Sequence, residues 1–147
     1  MPEAVNLAAA EQARKRGIRV ILNAAPFRPL SKPFVQLVDV LVVNAVEAEM
    51  MGTGHVCCLA SASAAAHLLA RDFDCVIVTA GSQGLAVWTH DDTPVQIPAE
   101  NVTVVSSHGA GDAFIGALAA ALLQGQCIEA ACRLASSAAA RHVAGLA

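Results

Sequence analysis

A chain of 147 residues, 56% hydrophobic and only 14% charged, has the size of one ordinary domain and is too apolar to be a disordered or solvating segment. Nine Lys and Arg against twelve Asp and Glu give a net charge of −3, with 3% aromatics and no Tyr, so there is neither a basic field for phosphate backbones nor a platform for stacking bases, and no nucleic-acid partner is expected. No membrane partner is expected either, because the longest apolar run, Ala113 to Leu123, has 11 residues where a span needs roughly 20.

Residues 4–16 pattern as an amphipathic helix that Gly17 stops. The run Ile18 to Asn23 reads as a strand leading into a loop with Pro26 and Pro29. Lys32 to Val38 reads as a short helix with Pro33 in its first turn. Asp39 to Asn44 is almost continuously apolar, as a strand buried on both faces should be. A short helix from Val46 to Met51 follows, then a small-residue helix from Ala60 to Arg71 and a third buried strand, Cys75 to Thr79. Beyond a turn at Gly81 to Gly84, the runs Leu85 to His90 and Val95 to Pro98 flank Asp91-Asp92-Thr93-Pro94, a hairpin signal. Val102 to Val105 reads as one more short strand. Asp112 to Leu123 and Ile128 to Val143 read as helices broken at Gly125. Alternating strands and helices predict an α/β layer architecture with a mainly parallel sheet, plus antiparallel strands from the hairpin near one side. A sheet this small has poorly covered edges, so the chain reads as part of a larger sheet.

The cysteines, Cys57, Cys58, Cys75, Cys127 and Cys132, are odd in number and irregular in spacing, which is neither a disulfide framework nor a zinc site. No charged segment followed by an apolar core opens the chain. The expected setting is therefore reducing and cytoplasmic. The histidines, His55, His67, His90, His108 and His142, are scattered without ligand spacing and read as surface or helix residues; His108 stands out only because it abuts Gly109.

Three short motifs follow strand ends, where open parallel sheets place their ligands. Asn44-Ala-Val-Glu47 has the form of a helix-capping box. It could equally place Asn44 near nucleotide phosphates and Glu47 beside a hydrated Mg²⁺, an ion that keeps its waters and needs few carboxylates. Thr79-Ala-Gly-Ser-Gln-Gly84 is either a turn into the hairpin or a cradle for phosphate. Gly109-Ala-Gly-Asp112 precedes a long apolar helix. It is either a tight helix entry or an anion-binding helix N-terminus with a carboxylate placed to take a proton from an attacking hydroxyl. The dinucleotide and P-loop fingerprints are absent from the sequence.

Together and in this order, covering nearly all of the chain, these motifs resemble the ribokinase-like (PfkB) carbohydrate kinase family. Val20 to Pro26 is similar to that family's strand ending in Asn-x-x-Pro, Asn44 to Glu47 to its Asn-x-x-Glu, Thr79 to Gly84 to its Thr-x-Gly-x-x-Gly, and Gly109 to Asp112 to its Gly-Ala-Gly-Asp. The resemblance implies a doubly wound α/β/α sandwich with a small β lid, and ATP-dependent phosphoryl transfer to a hydroxyl of a sugar or nucleoside. It implies Asp112 as the base, Gly109, Ala110 and Gly111 as the anion hole, and Asn44, Thr79, Gly81, Ser82 and Gly84 at the nucleotide. It further implies Ser136 near the adenine, Glu47 towards Mg²⁺, and ATP and Mg²⁺ as the cofactors. Where the family carries Asp-Thr before its signature, this chain has Ser106-Ser107; the neutral Ser106 puts activation by a monovalent cation in question. The resemblance covers the family's C-terminal half alone, without the N-terminal half that supplies most sugar contacts, the Gly-Gly motif and the lid. The expectation is a nucleotide-binding and catalytic half that forms a homo-oligomer or pairs with a missing N-terminal half. The rival reading is a non-catalytic nucleotide-binding or assembly module derived from such a half.

Overall fold

The structure, a computed structural model, describes residues 3–90 and 94–146. Helix α1, Glu3–Lys15, opens on an acidic residue and closes on Arg14 and Lys15, charges that suit the two ends of a helix dipole. Gly17, at φ +66°, lets the chain turn back, and the Ile18 amide donates to the Ala13 carbonyl at 2.9 Å. Ile18 is thereby spent on ending the helix. Strand β1 is Ile21–Asn23, shorter than the expected run from Ile18. Val20 meets an Asp39 carboxylate oxygen through its amide at 2.6 Å, and its carbonyl accepts from the Asp39 and Val40 amides. Helix α2 is the single turn Lys32–Val35 with Pro33 near its start; of residues 36–38, expected to continue it, Gln36 keeps a helical bond to Lys32 while Leu37 and Val38 tighten into i→i+3 turns.

Strand β2 (Val40–Asn44) leads into α3 (Ala45–Met50), then α4 (Leu59–Leu69), β3 (Cys75–Thr79) and a 3₁₀ turn at Gly81–Gln83. Strands β4 (Gly84–Thr89) and β5 (Val95–Pro98) form the expected antiparallel pair; residues 91–93 of its predicted turn lie outside the described residues. The chain ends in α5 (Ala110–Leu123) and α6 (Ile128–Val143), which pack on each other. The sheet has the order β1-β2-β3-β4-β5, with parallel pairs between β1, β2 and β3 and antiparallel pairs from β3 to β5.

Because side chains alternate across a strand, the sheet has two cores. Leu41, Val43, Val76 and Val78 bury against the α1–α4 side; Val40, Val42, Ile77 and Leu85 bury with Phe114, Leu118 and Ala135 of α5 and α6. Helices on both faces make this the doubly wound α/β/α sandwich. Small residues set the layer spacing: Ala62, Ala65 and Ala66 of α4 are fully buried, so this helix approaches the sheet closely. The run Val102 to Val105, expected as a strand, forms none. Its β-branched composition suits a strand, but Val104 and Val105 are exposed, and the Val105 and Ser106 amides donate to the Val143 carbonyl at the end of α6 instead of to a strand.

The described cysteines are all free. Ser61, whose hydroxyl lies 3.4 Å from Cys58 Sγ and accepts from the Cys57 and Cys58 amides, draws the Cys58 thiol down to about 7. Burial pushes Cys75 and Cys132 up to about 12. Alkylation by iodoacetamide, followed residue by residue in the folded chain, should therefore reach half its maximal rate at Cys58 near pH 7 and leave Cys75 and Cys132 unmodified. A Cys58 midpoint of an ordinary thiol would contradict this. Among the described residues no helix is long and apolar enough to cross a membrane.

Candidate functional site

The parallel strands β2 and β3 end side by side, with Asn44 and Thr79 as register partners, so their two motifs meet on one rim of the sheet. Asn44 caps α3: its side-chain oxygen accepts from the Glu47 amide at 2.9 Å, and a Glu47 carboxylate oxygen (Oε2) accepts from the Asn44 amide at 2.9 Å. Both halves of a capping box are thus present. They leave chemistry over: Asn44 itself is exposed at the rim. Glu47 is 6% exposed, and its second oxygen, Oε1, has no hydrogen-bond partner among the described residues yet is not sealed from solvent. One accessible carboxylate oxygen fits a hydrated Mg²⁺ held through its waters and substrate phosphates. It does not fit a cage of protein ligands, and among the described residues no group of three or more His, Cys, Asp or Glu could hold a metal.

Thr79 Oγ1 lies 3.5 Å from the Val43 carbonyl, tying the two strand ends together. Gly81, Ser82 and Gln83 follow, all exposed, in the 3₁₀ turn. The Ala80 amide donates to the Gly84 carbonyl at 2.8 Å and closes this loop. Gly84 is a different case. It is buried at φ +113°, and an added Cβ would overlap the Ile97 carbonyl and lie 2.7 Å from the Ala99 nitrogen. The β4–β5 pairing requires glycine there whether or not a nucleotide binds.

The third motif forms the entrance to α5. Gly109 is the N-cap, at φ +78°, and Ala110, Gly111 and Asp112 are the first three helical residues. Asp112 therefore does not cap the helix; it lies within the first turn, where a negative charge suits the dipole, and its side chain is exposed. The Ala110 amide donates to the Ser107 carbonyl at 3.3 Å, and the Ala113 amide to the Gly109 carbonyl at 3.0 Å. The amides of Gly111 and Asp112 have no acceptor among the described residues. The Gly109 amide has none either, so three N–H groups are free at this helix N-terminus, an arrangement that suits an anion. Of the expected anion-hole residues, Gly109 and Gly111 have free amides and Ala110 has its amide committed to the Ser107 carbonyl; the Asp112 amide is free as well. Gly111 has a helical backbone, and a Cβ there would meet nothing within 4 Å, so the fold itself does not demand glycine at this position.

Ser106 Oγ accepts from the His108 amide at 3.3 Å, closing the loop that brings the chain to α5. Ser136, in the middle of α6, is half-buried with no hydrogen-bond partner among the described residues. No hydrogen bond joins the α5 entrance or Ser136 to Asn44 or Thr79 among the described residues. Two cavities lie elsewhere. One, of about 140 Å³, is at the end of β1 beside Glu3, Asn23 and Arg28. The other, of about 570 Å³, lies between Phe27, Lys32, Met50 and Phe73. His142 has no motif to announce it, yet it contacts the α5 entrance. Its Nε2 lies 2.8 Å from the His108 carbonyl oxygen, across 34 positions of sequence.

Fold and rim together define an open-sheet α/β protein, a class that places its ligands beyond the carboxyl ends of its parallel strands. The chain belongs to the pfkB family of carbohydrate kinases, whose family model matches residues 1–144. It is 38% identical over 139 residues to a deoxyribokinase from Salmonella typhi, covering 93% of this chain and 45% of that protein. It is 36% identical over 120 residues to a ribokinase from Mus musculus, covering 79% of this chain and 37% of that protein. Among solved structures it is similar to Arabidopsis thaliana ribokinase complexed with ribose and ATP, with a TM-score of 0.88 and 28% identity over 97% of this chain and 46% of that one. It is also similar to the ribokinase of Thermotoga maritima, with a TM-score of 0.79 and 28% identity, covering 95% of this chain and 47% of that one. The chain thus spans less than half the length of these relatives.

Proposed function

We propose that this chain is the nucleotide-binding and catalytic half of a sugar kinase that transfers the γ-phosphoryl group of ATP to a hydroxyl of a pentose. The observation that carries this reading is the α5 entrance, with three unpartnered amides, a glycine at 111 that the fold does not need, and the Asp112 carboxylate in the same turn. The choice of ribose or deoxyribose as acceptor rests on the activities named for the relatives.

In this reading the Gly111 and Asp112 amides receive the oxygens of the transferred phosphoryl group. The left-handed turn at Gly109 aims them, and Ala110 shapes the same turn. The Asp112 carboxylate accepts the proton of the attacking hydroxyl while the new O–P bond forms and the bond to the ADP oxygen breaks. Asn44 and the loop Thr79-Gly81-Ser82 hold the nucleotide phosphates at the rim, with Gly84 fixing the loop's exit. Ser136 offers a hydroxyl to the base. Mg²⁺, when bound, neutralises charge on the phosphates, and Glu47 orders its waters through the free Oε1. Charge stabilisation and positioning contribute most of the rate, because phosphoryl transfer asks for little covalent chemistry from the protein. Ser106 supplies no carboxylate, which leaves activation by a monovalent cation in question.

A second half supplies the sugar contacts and lid and covers the β1 edge in this reading, or a second copy of the chain does so. The rival of a non-catalytic nucleotide-binding module draws on one observation: the Asp112 side chain is exposed to solvent. The two readings part in an assay of ADP and sugar phosphate formation from ATP with ribose or deoxyribose, using the complete protein. Stoichiometric formation of both products supports the kinase. ATP binding without either product supports the module.

A further inference from the structure

The last turn of α6 is wired to the entrance of α5. The Val143 carbonyl accepts from the Val105 amide at 2.7 Å and from the Ser106 amide at 3.2 Å. Next to it, the His142 ring reaches the His108 carbonyl at 2.8 Å. A carbonyl oxygen only accepts, so the hydrogen is on Nε2 of the imidazole. The His108 carbonyl is also the group that a helix extended by one residue would offer to the Asp112 amide. That amide has no acceptor, so the imidazole fixes the carbonyl four residues before one of the free N–H groups of the entrance. The same ring covers Gly109. A Cβ added there would lie 2.9 Å from His142 Nε2, and Gly109 already needs glycine for its φ of +78°.

We propose that His142, by holding the His108 carbonyl and covering Gly109, is the residue that positions the Gly109–Asp112 entrance for phosphoryl transfer. The inference rests on the reading of that entrance as the phosphoryl site. It acts through geometry: His142 touches neither phosphate nor hydroxyl but sets where the Gly111 and Asp112 amides point. Misplacing such groups by about an ångström can cost on the order of 10²-fold in rate.

The test has a structural arm and a functional arm. In the chain without ligand, His142→Ala should speed amide hydrogen exchange at Ala110 and Ala113, the two bonded amides of the entrance, by about five- to tenfold. His142→Gln, which keeps a donor, should restore protection. Gly109→Ala should lower Tm less in the His142→Ala background than in wild type, because the methyl then meets only backbone strain. In the complete protein, His142→Ala should lower kcat about ten- to 10²-fold with KM for ATP unchanged, and His142→Gln should recover much of the loss. Unchanged exchange at Ala110 and Ala113, or an unchanged kcat in a protein that does transfer phosphate, would overturn the proposal. If exchange and Tm respond as stated but wild type itself transfers no phosphate, the positional wiring stands and the kinase reading of the entrance falls.

Discussion

Replacing Asp112 by asparagine should lower kcat for phosphoryl transfer by about 10²–10⁴-fold, the usual effect of removing a general base. Asparagine keeps the size and the polarity of the side chain but cannot accept the hydroxyl proton. The accompanying loss of stability should be small. Asp112 is exposed, is not the helix cap, and its side chain makes no hydrogen bond among the described residues. What is lost is one favourable charge in the first turn of α5, about 0.3–1 kcal/mol, or roughly 1–3 °C in Tm for a chain of this size. ATP affinity should stay close to wild type. A purely structural Asp112 predicts the opposite pattern, with turnover preserved and Tm clearly lowered, and both quantities are read on the same variant.

Gly84→Ala should be the most destabilising single substitution among the motif residues. Its new methyl would run into the Ile97 carbonyl and the Ala99 nitrogen, backbone atoms that cannot step aside without parting β4 from β5. Overpacking costs about 1–3 kcal/mol and sometimes more, and strain at φ +113° adds about 1–3 kcal/mol. A Tm lowered by roughly 10 °C or more is expected from thermal unfolding, with or without nucleotide. A Tm within 2 °C or so of wild type would mean that the hairpin is held differently. This variant also explains why a loss of ATP binding after mutation at Gly84 says nothing about phosphate contact. Gly81 is similarly ambiguous, since its φ of +54° strains any larger residue.

Much of the architecture is legible in the sequence because burial on both faces leaves a plain mark. Continuous apolar runs such as Val40 to Val43 and Cys75 to Val78 have few other uses, and the small-residue helices around them follow. What is not legible depends on where hydrogen-bond partners lie in space. Val102 to Val105 has strand composition but reaches the end of α6 rather than a strand, and no local pattern announces that. Ile18 reads as strand yet closes α1. The motif Asn44 to Glu47 shows the limit in another way. The capping box and the proposed phosphate role use different atoms of the same two side chains, so the structural reading and the functional one do not compete. His142 could not be found from sequence, because its partner lies 34 residues away and the contact exists only once α5 and α6 pack together.

Gly111 gives the most direct test of the central claim, that the start of α5 receives a phosphoryl group. Alanine fits the helical backbone there, and its methyl meets nothing within 4 Å in the free chain. Helix propensity alone should make Gly111→Ala more stable by up to about 1 kcal/mol. If a phosphate of ATP approaches this backbone, the same methyl stands in its way. Calorimetric titration of ATP with Mg²⁺ into wild type and Gly111→Ala should then show affinity falling about tenfold or more, a difference of roughly 1.4 kcal/mol, in a variant whose Tm is equal or higher. Equal affinity for the two proteins, with Tm unchanged or raised, would contradict the account.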